Sequence, residues 1–366
     1  MLTKADDYPI HQTSFPMAYT ASSDRNFYDR YFFNGYSRDG SIYFAAALGV
    51  YPNRSVMDAA VSVVADGRQH VVRASRRLDA ERMEMAVGPI SIEVLEPLRR
   101  LRVKIEPNSF GICGDLVFTQ RAPAFEEPHF FRRTGARVFM DYTRLTQHGV
   151  WSGQLDVDGR RIDISERDFW GSRDRSWGIR PVGERDAGGV PDFPLQFFWL
   201  WAPLHFEDLC THFDVTEEAD GTRWHAVGMA IPLSGSQAGA VQTMASVDYR
   251  LEMQAGTRHA RRAEITLRPK SGEPLQIALK PLYNFYMIGI GYGHPQWGHG
   301  MYVGDNQVAG ESWKLSESDP SAPMHLHIQA VCEATCGSRR GIGILEQLIL
   351  GPHEPTGFKD LFDLAP

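Results

Sequence analysis

The chain reads as all-β, a run of antiparallel meanders long enough for two β-barrels in tandem. Three observations carry this reading. Asp-Gly pairs recur between stretches of alternating apolar residues, at Asp39-Gly40, Asp66-Gly67, Asp158-Gly159 and Asp220-Gly221, with Asn34-Gly35 and Ser271-Gly272 as weaker relatives. Tight hairpin turns need positive φ, which Gly, Asn and Asp adopt at little cost. No long stretch carries a sustained apolar stripe at helical spacing, and the best helical candidate, residues 79–85, is short. The length of 366 residues accommodates two units of roughly 150 residues or a little more. A pair of sandwiches is the other arrangement such meanders can take.

The elements follow in order. Valines at 61, 63 and 64, then at 71 and 72, flank Asp66-Gly67 as the arms of a hairpin. Residues 99–105 alternate, with Leu101, Val103 and Ile105 on one face and Arg100, Arg102 and Lys104 on the other, so this basic run reads as a half-exposed strand. Residues 137–145 alternate in the same way. The clearest hairpin is Leu155-Asp156-Val157 and Ile162-Asp163-Ile164 around Asp158-Gly159. Residues 183–194, rich in Gly, Pro and Asp, read as the boundary between a first barrel (1–185) and a second (186–366). Residues 220–232 echo 39–52: turn, aromatic, small-residue strand, closing proline.

The net charge of −7 argues against nucleic acid as a partner, since phosphate binding needs a basic field. The longest apolar runs, 42–50 and 197–204, fall short of a membrane span. The acidic start lacks an apolar signal segment. Cys113, Cys210, Cys332 and Cys336 have no redox or zinc-knuckle spacing and read as free thiols, so the expected compartment is a reducing cytoplasm. A homodimer is compatible with this composition.

Three clusters could carry chemistry. The first is 168–180, Asp-Phe-Trp-Gly-Ser-Arg-Asp-Arg-Ser-Trp-Gly-Ile-Arg, where aromatics, arginines and carboxylates are interleaved. Such a segment is costly to bury unless each charge finds a partner, so it is a ligand-lined seam or a cross-bridged structural corner. The second is 197–214, with Trp199 and Trp201 on one strand face and Phe198 and Leu200 on the other, followed by His212 and Asp214. These tryptophans are as readily core as pocket wall. The third is the glycine-rich stretch 289–300. Its His294 and His299 lie in no metal-binding helix pattern, so a structural or rim loop is expected and no metal site.

Trp170 to Gly178, followed by a strand with alternating tryptophans, resembles the carotenoid 1,2-hydratase (hydroxyneurosporene synthase) superfamily, which includes fungal Diels–Alderase-type cyclases. The resemblance is loose over most of the chain and specific at 174–178, Trp199 and Trp201. It implies two lipocalin-like antiparallel β-barrels and cofactor-free chemistry on bulky apolar molecules, with the pocket near the seam. The hydratase branch carries a histidine where this chain has Arg175, and a tyrosine where the best match is His212, two residues before Asp214. It therefore implies a diverged member acting on another substrate.

The expected function is a lyase or isomerase of hydratase, dehydratase or cyclase type, acting on a terpenoid, steroid, polyketide or aromatic molecule. A non-catalytic carrier or sensor of lipophilic molecules is the alternative, since small barrels enclose such ligands readily. Asp214 is the expected proton mover, with His212. Asp174 sits in sequence between Arg173 and Arg175, which should hold it ionised, so it is expected to act as an anchor or a base. Trp177, Trp199 and Trp201 are expected to shape the pocket, and Arg173 and Arg175 to hold a polar end of the ligand.

Overall fold

In the computed structural model, residues 1–184, 195–234 and 237–366 are described. The strands longer than five residues are, in the first half, β1 (Phe27–Ser37), β2 (Tyr43–Tyr51), β3 (Val56–Ala65), β4 (Arg68–Arg77), β5 (Ile90–Glu96), β6 (Arg100–Ile105), β7 (Ile112–Gln120), β8 (Arg137–Val157) and β9 (Phe169–Ile179). In the second half they are β10 (Phe197–Phe206), β11 (Leu209–Glu217), β12 (Arg223–Ser234), β13 (Ser246–Met253), β14 (Ala260–Arg268), β15 (Leu275–Tyr286), β16 (Gln307–Lys314), β17 (His327–Cys336) and β18 (Arg339–Leu350). Among the described residues the only helical turns are 3-10 segments of three or four residues. The protein is all-β, as the turn spacing predicts.

Two curled antiparallel sheets form two tandem lipocalin-like barrels. One runs β16-β4-β3-β2-β1-β9-β8-β7-β6-β5, the other β12-β11-β10-β18-β17-β15-β14-β13. The expected boundary at 185/186 lies among residues 185–194, outside the described residues. One strand crosses the division: β16, late in the chain, pairs with β4 from Gln307↔Ser75 to Lys314↔Arg68.

The turn chemistry is borne out at Asp66-Gly67 (φ 50° and 70°) and Asp158-Gly159 (φ 52° and 79°), which join β3 to β4 and β8 to the short strand Arg160–Ile164. Asn34-Gly35 is not a turn. It lies inside β1, and Gly35 is extended because the Phe44 ring lies 2.2 Å from where its Cβ would be. Residues 79–85 form irregular turns, too short to nucleate a helix and pinned from outside by Arg76 Nη2, which donates to the Glu84 carbonyl at 2.8 Å.

Each barrel has an apolar interior, built around Phe33, Phe118 and Trp151 in the first and Phe198, Leu200 and Phe213 in the second. A third core lies between them, where Phe32, Tyr36, Tyr43 and Trp170 meet Trp201, Phe285, Val331 and Ile344. All four cysteines are free. No helix among the described residues is long and apolar enough to cross a membrane.

Candidate active site

Successive side chains of a strand point to opposite faces, and β9 therefore divides the 168–180 motif. Its cross-strand neighbours form rows on the face toward the second sheet: Tyr142–Gly178–Tyr28, Arg144–Ser176–Arg30, Thr146–Asp174–Phe32 and His148–Ser172–Asn34. The alternate rows, Leu145–Arg175–Tyr31 and Gln147–Arg173–Phe33, face the interior of the first barrel. The structure thus separates Arg173, Arg175 and Trp177 from Asp174. It brings Asp174 to the same seam as Trp199, Trp201, His212 and Asp214.

The second sheet meets these rows with its own. Trp201 stands between Asp214 and Glu346, and Trp199 between Thr216 and Leu348. Trp201 is buried and packs in the seam core. Trp199 is half-buried and lines a cavity.

At the centre is Arg144, which donates to Glu127 Oε2 from Nε at 2.9 Å and also binds Asp214. The carboxylate of Glu127 further accepts from Thr146 Oγ1 at 2.6 Å and lies 3.3 Å from His212 Nε2. Burial pushes Glu127 up, but Arg144 and His212 overcome this and hold it well below the usual carboxylate range. The other Asp214 oxygen accepts from Trp199 Nε1 at 2.9 Å. Both Asp214 oxygens are therefore committed to partners in the protein. Glu127, Asp214 and His225 offer three buried donor atoms within 4.8 Å of one another, a spacing that could hold a metal ion. The guanidinium of Arg144 already binds an oxygen of each carboxylate and so occupies the place a metal ion would take, and the donor set does not fit a second cation.

Asp174 is the contrasting carboxylate. It makes no hydrogen bond or ion pair among the described residues, and it keeps accessible surface although protein surrounds it. Burial raises its pKa to about 6, against the pull of Arg144, Arg30 and Arg180. This corrects the expectation that Arg173 and Arg175 hold Asp174 ionised: both point to the other face of the sheet. Arg175 instead forms a bidentate pair with Asp29 at 2.6 and 3.2 Å and lies 4.1 Å over Tyr31.

The cavity has a volume of about 250 Å³ and is walled by Phe130, Tyr142, Phe197, Trp199, Trp224 and Leu348. Its polar lining is Arg144, Arg180, Tyr292, His327, Thr216 and Gln196. Arg180 lies 4.6 Å over Tyr28, and the tyrosines around it hold it above its ordinary value although burial works the other way. His327 Nε2 is 2.6 Å from Glu346, whose other oxygen accepts from Gln329 at 2.6 Å.

The 289–300 loop sits at the rim. Tyr292 accepts from Arg30 at 2.8 Å, His299 Nε2 is 3.0 Å from the Ile290 carbonyl, and His294 Nδ1 accepts from the Trp297 amide at 2.9 Å. Both histidine rings thus bond to backbone of the loop itself.

Sequence reasoning missed Arg144, Glu127 and His327, and it placed Arg180 and Tyr292 within its clusters without giving either a site role. A signal for one was present. Tyr142, Arg144, Thr146 and His148 recur at strand spacing on one face of β8, and polar groups along one buried strand face mark a polar seam.

Among solved structures, an AttH-type protein of Nitrosomonas europaea shares the fold with a TM-score of 0.54 at 14% identity, covering 93% of this chain and 98% of that one. CghA does so with a TM-score of 0.52 at 12% identity over 89% of each chain. Kievitone hydratase of Nectria haematococca gives 0.48 at 11% identity over 87% and 88%. The AttH-type protein and CghA thus share this chain's fold. No curated protein matches the chain in sequence. A family model does match it, over residues 2–359, and the chain accordingly belongs to that family, described as a family of unknown function (DUF8625).

Proposed function

We propose that this chain is a cofactor-independent lyase or isomerase, of hydratase, dehydratase or cyclase type, acting on a hydrophobic small molecule in the seam cavity. The observation that supports it most is Asp174, a carboxyl raised to about 6 and unpaired, one row from the Arg144 and Arg30 guanidiniums. Arg144 lines the cavity and Asp174 does not, so the substrate has to reach one row beyond Arg144 to meet it. A general acid or base works best with a pKa near the working pH. Hydration, dehydration and many cyclisations share one step, a proton moved to or from carbon. As an acid, Asp174 gives its proton to an alkene or enol carbon, and the carboxylate left behind faces two guanidiniums. As a base it runs the step in reverse.

The other residues take supporting roles. Arg144 and Arg180 hold a polar end of the substrate, and Trp199 offers its π face to developing positive charge, worth about 1–2 kcal/mol when water is excluded. Asp214 and Glu127 fix Arg144, with His212 behind them. Trp201, buried, backs the wall. Asp214 becomes a positioning residue, where sequence reasoning expects the proton mover. A terpenoid, steroid, polyketide or aromatic skeleton suits the aromatic walls.

Native mass spectrometry of the purified protein, followed by incubation of the released and re-bound ligand in D₂O, tests this. The wild type should place deuterium on a ligand carbon or change the ligand mass by one water. Asp174→Asn should bind with equal stoichiometry and leave the isotope pattern untouched. Recovery of unaltered ligand from the wild type would leave a carrier.

A further inference from the structure

The face of β9 turned away from the seam carries a second feature. Arg173 is only 2% exposed, yet its one hydrogen bond is from Nε to Gln147 Oε1 at 2.7 Å. Among the described residues no carboxylate pairs with it, and its two terminal nitrogens donate to no protein atom. Of the other buried arginines among the described residues, Arg30 donates to the Tyr292 hydroxyl and the Ile290 carbonyl, and three meet carboxylates. Arg73 meets Glu311 at 2.6 Å, Arg258 meets Asp363 at 2.5 Å, and Arg144 meets two carboxylates. A buried guanidinium without a counter-ion is costly. Burial, with Arg175 beside it, pushes the Arg173 guanidinium down to about 10.

Arg173 lines an open cavity of about 420 Å³ at the mouth of the first barrel, a size in the range of ligand sites. The only acid in that lining, Asp29, is already taken by Arg175. The lip is apolar and exposed: Leu98 is 55% accessible, Trp177 38% and Val94 37%. Leu98 also adopts φ 60°, a conformation unfavourable for leucine, and is held there by Gln147 Nε2 donating to its carbonyl at 2.6 Å. The same amide thus fixes the lip leucine with one end and Arg173 with the other.

We infer that the mouth of the first barrel is a second binding site, for an amphipathic anion: a long-chain carboxylate whose head pairs with Arg173 and whose tail lies against Leu98, Leu101, Leu145 and Trp177. The carboxylate supplies the missing counter-charge in the two-pronged geometry a guanidinium favours. The tail covers apolar surface that is otherwise exposed to water. This site is separate from the seam cavity and stands whether or not the seam is catalytic.

Titration calorimetry of the full chain with dodecanoate, and with dodecyltrimethylammonium as the same tail under opposite charge, tests it. Dodecanoate should bind and the ammonium should bind at least ~10-fold more weakly. Arg173→Met should lose about tenfold or more in dodecanoate affinity while Arg173→Lys retains most of it. Leu98→Glu, at an exposed position that leaves the core untouched, should lose as much by repulsion and covers the case in which Arg173→Met fails to fold. A terminally brominated undecanoate should quench tryptophan fluorescence less in Trp177→Phe than in the wild type. No dodecanoate binding, equal binding of the two surfactants, unchanged affinity in Leu98→Glu, or quenching carried wholly by the other tryptophans would each overturn the assignment.

Discussion

At the scale of single residues, the proposed chemistry exchanges the roles that sequence reasoning gives Asp174 and Asp214, and the cause is the two-residue period of a strand. Arg173 and Arg175 flank Asp174 in sequence, yet the pleat turns both away from it. Arg144, thirty positions earlier, stands one row off on its own face. The charge environment of a residue in a sheet is set by cross-strand neighbours, which the local sequence does not display. The same exchange has a consequence for stability. The folded-state pKa of Asp174, about 6, lies above its ordinary 3.8. A raised value means the folded state holds the proton more tightly, so the stabilisation is complete below about pH 4 and lost as pH rises through 6. Asp58, also raised to about 6 by burial, acts in the same window. Asp174→Asn removes only one share of this dependence. Relative to the wild type, the variant should gain up to about 3 kcal/mol on going from pH 4 to pH 7.5. Urea unfolding of both proteins at the two pH values checks this, and a constant difference between them would show that the carboxyl is solvated.

At the scale of elements, hairpins were legible because their turns announce themselves locally: Asp66-Gly67 and Asp158-Gly159 supply the positive φ that two-residue turns require. Asn34-Gly35 has the same composition and sits mid-strand, because a packing demand, the Phe44 ring, selects glycine there as strongly as a turn does. The Arg144–Glu127–Asp214 cluster was not legible, since its members come from β8, from the segment after Phe125–Glu126, and from β11. No short-range pattern relates them. Gly171 shows how close approach can fix an element. It has no positive φ, but a Cβ there would lie 2.1 Å from the Asn34 carbonyl oxygen and 2.5 Å from Trp151 Nε1. Those two atoms hydrogen-bond to each other at 2.9 Å, and the Asn34 side chain holds Ser172 and reaches Gln329 across the seam. Gly171→Ala should therefore cost about 2 kcal/mol or more through overpacking. It should also weaken ligand retention in the seam cavity, because the β1–β9 pair that carries Asp174 must shift. Chemical denaturation combined with native mass spectrometry reads both effects. A variant with wild-type stability would show that the Trp151–Asn34 contact yields freely.

At the scale of the molecule, the two barrels are joined in three ways, and each crosses between the halves of the chain. The seam core draws aromatic and aliphatic residues from both sheets. Arg121 donates to the Phe206 and Glu207 carbonyls at 2.9 and 3.0 Å and, like Arg38, lies over the Trp170 ring, at 4.3 and 4.2 Å respectively. β16 completes the first sheet along β4 although its sequence lies deep in the second half. Separating the halves would expose the polar and aromatic seam face and strip β4 of its partner, leaving an edge that invites aggregation. The barrels should accordingly unfold together. Near-ultraviolet circular dichroism and tryptophan fluorescence should give coincident urea transitions, as two-state behaviour requires. A fragment of residues 1–184 should be insoluble or self-associated. Two resolved transitions, or a monomeric and cooperatively folded 1–184, would mean that the seam and β16 add little to either barrel. The seam cavity would then lie between bodies free to part, and the fixed register of Arg144 against Asp214 on which the proposed chemistry depends would have no structural support.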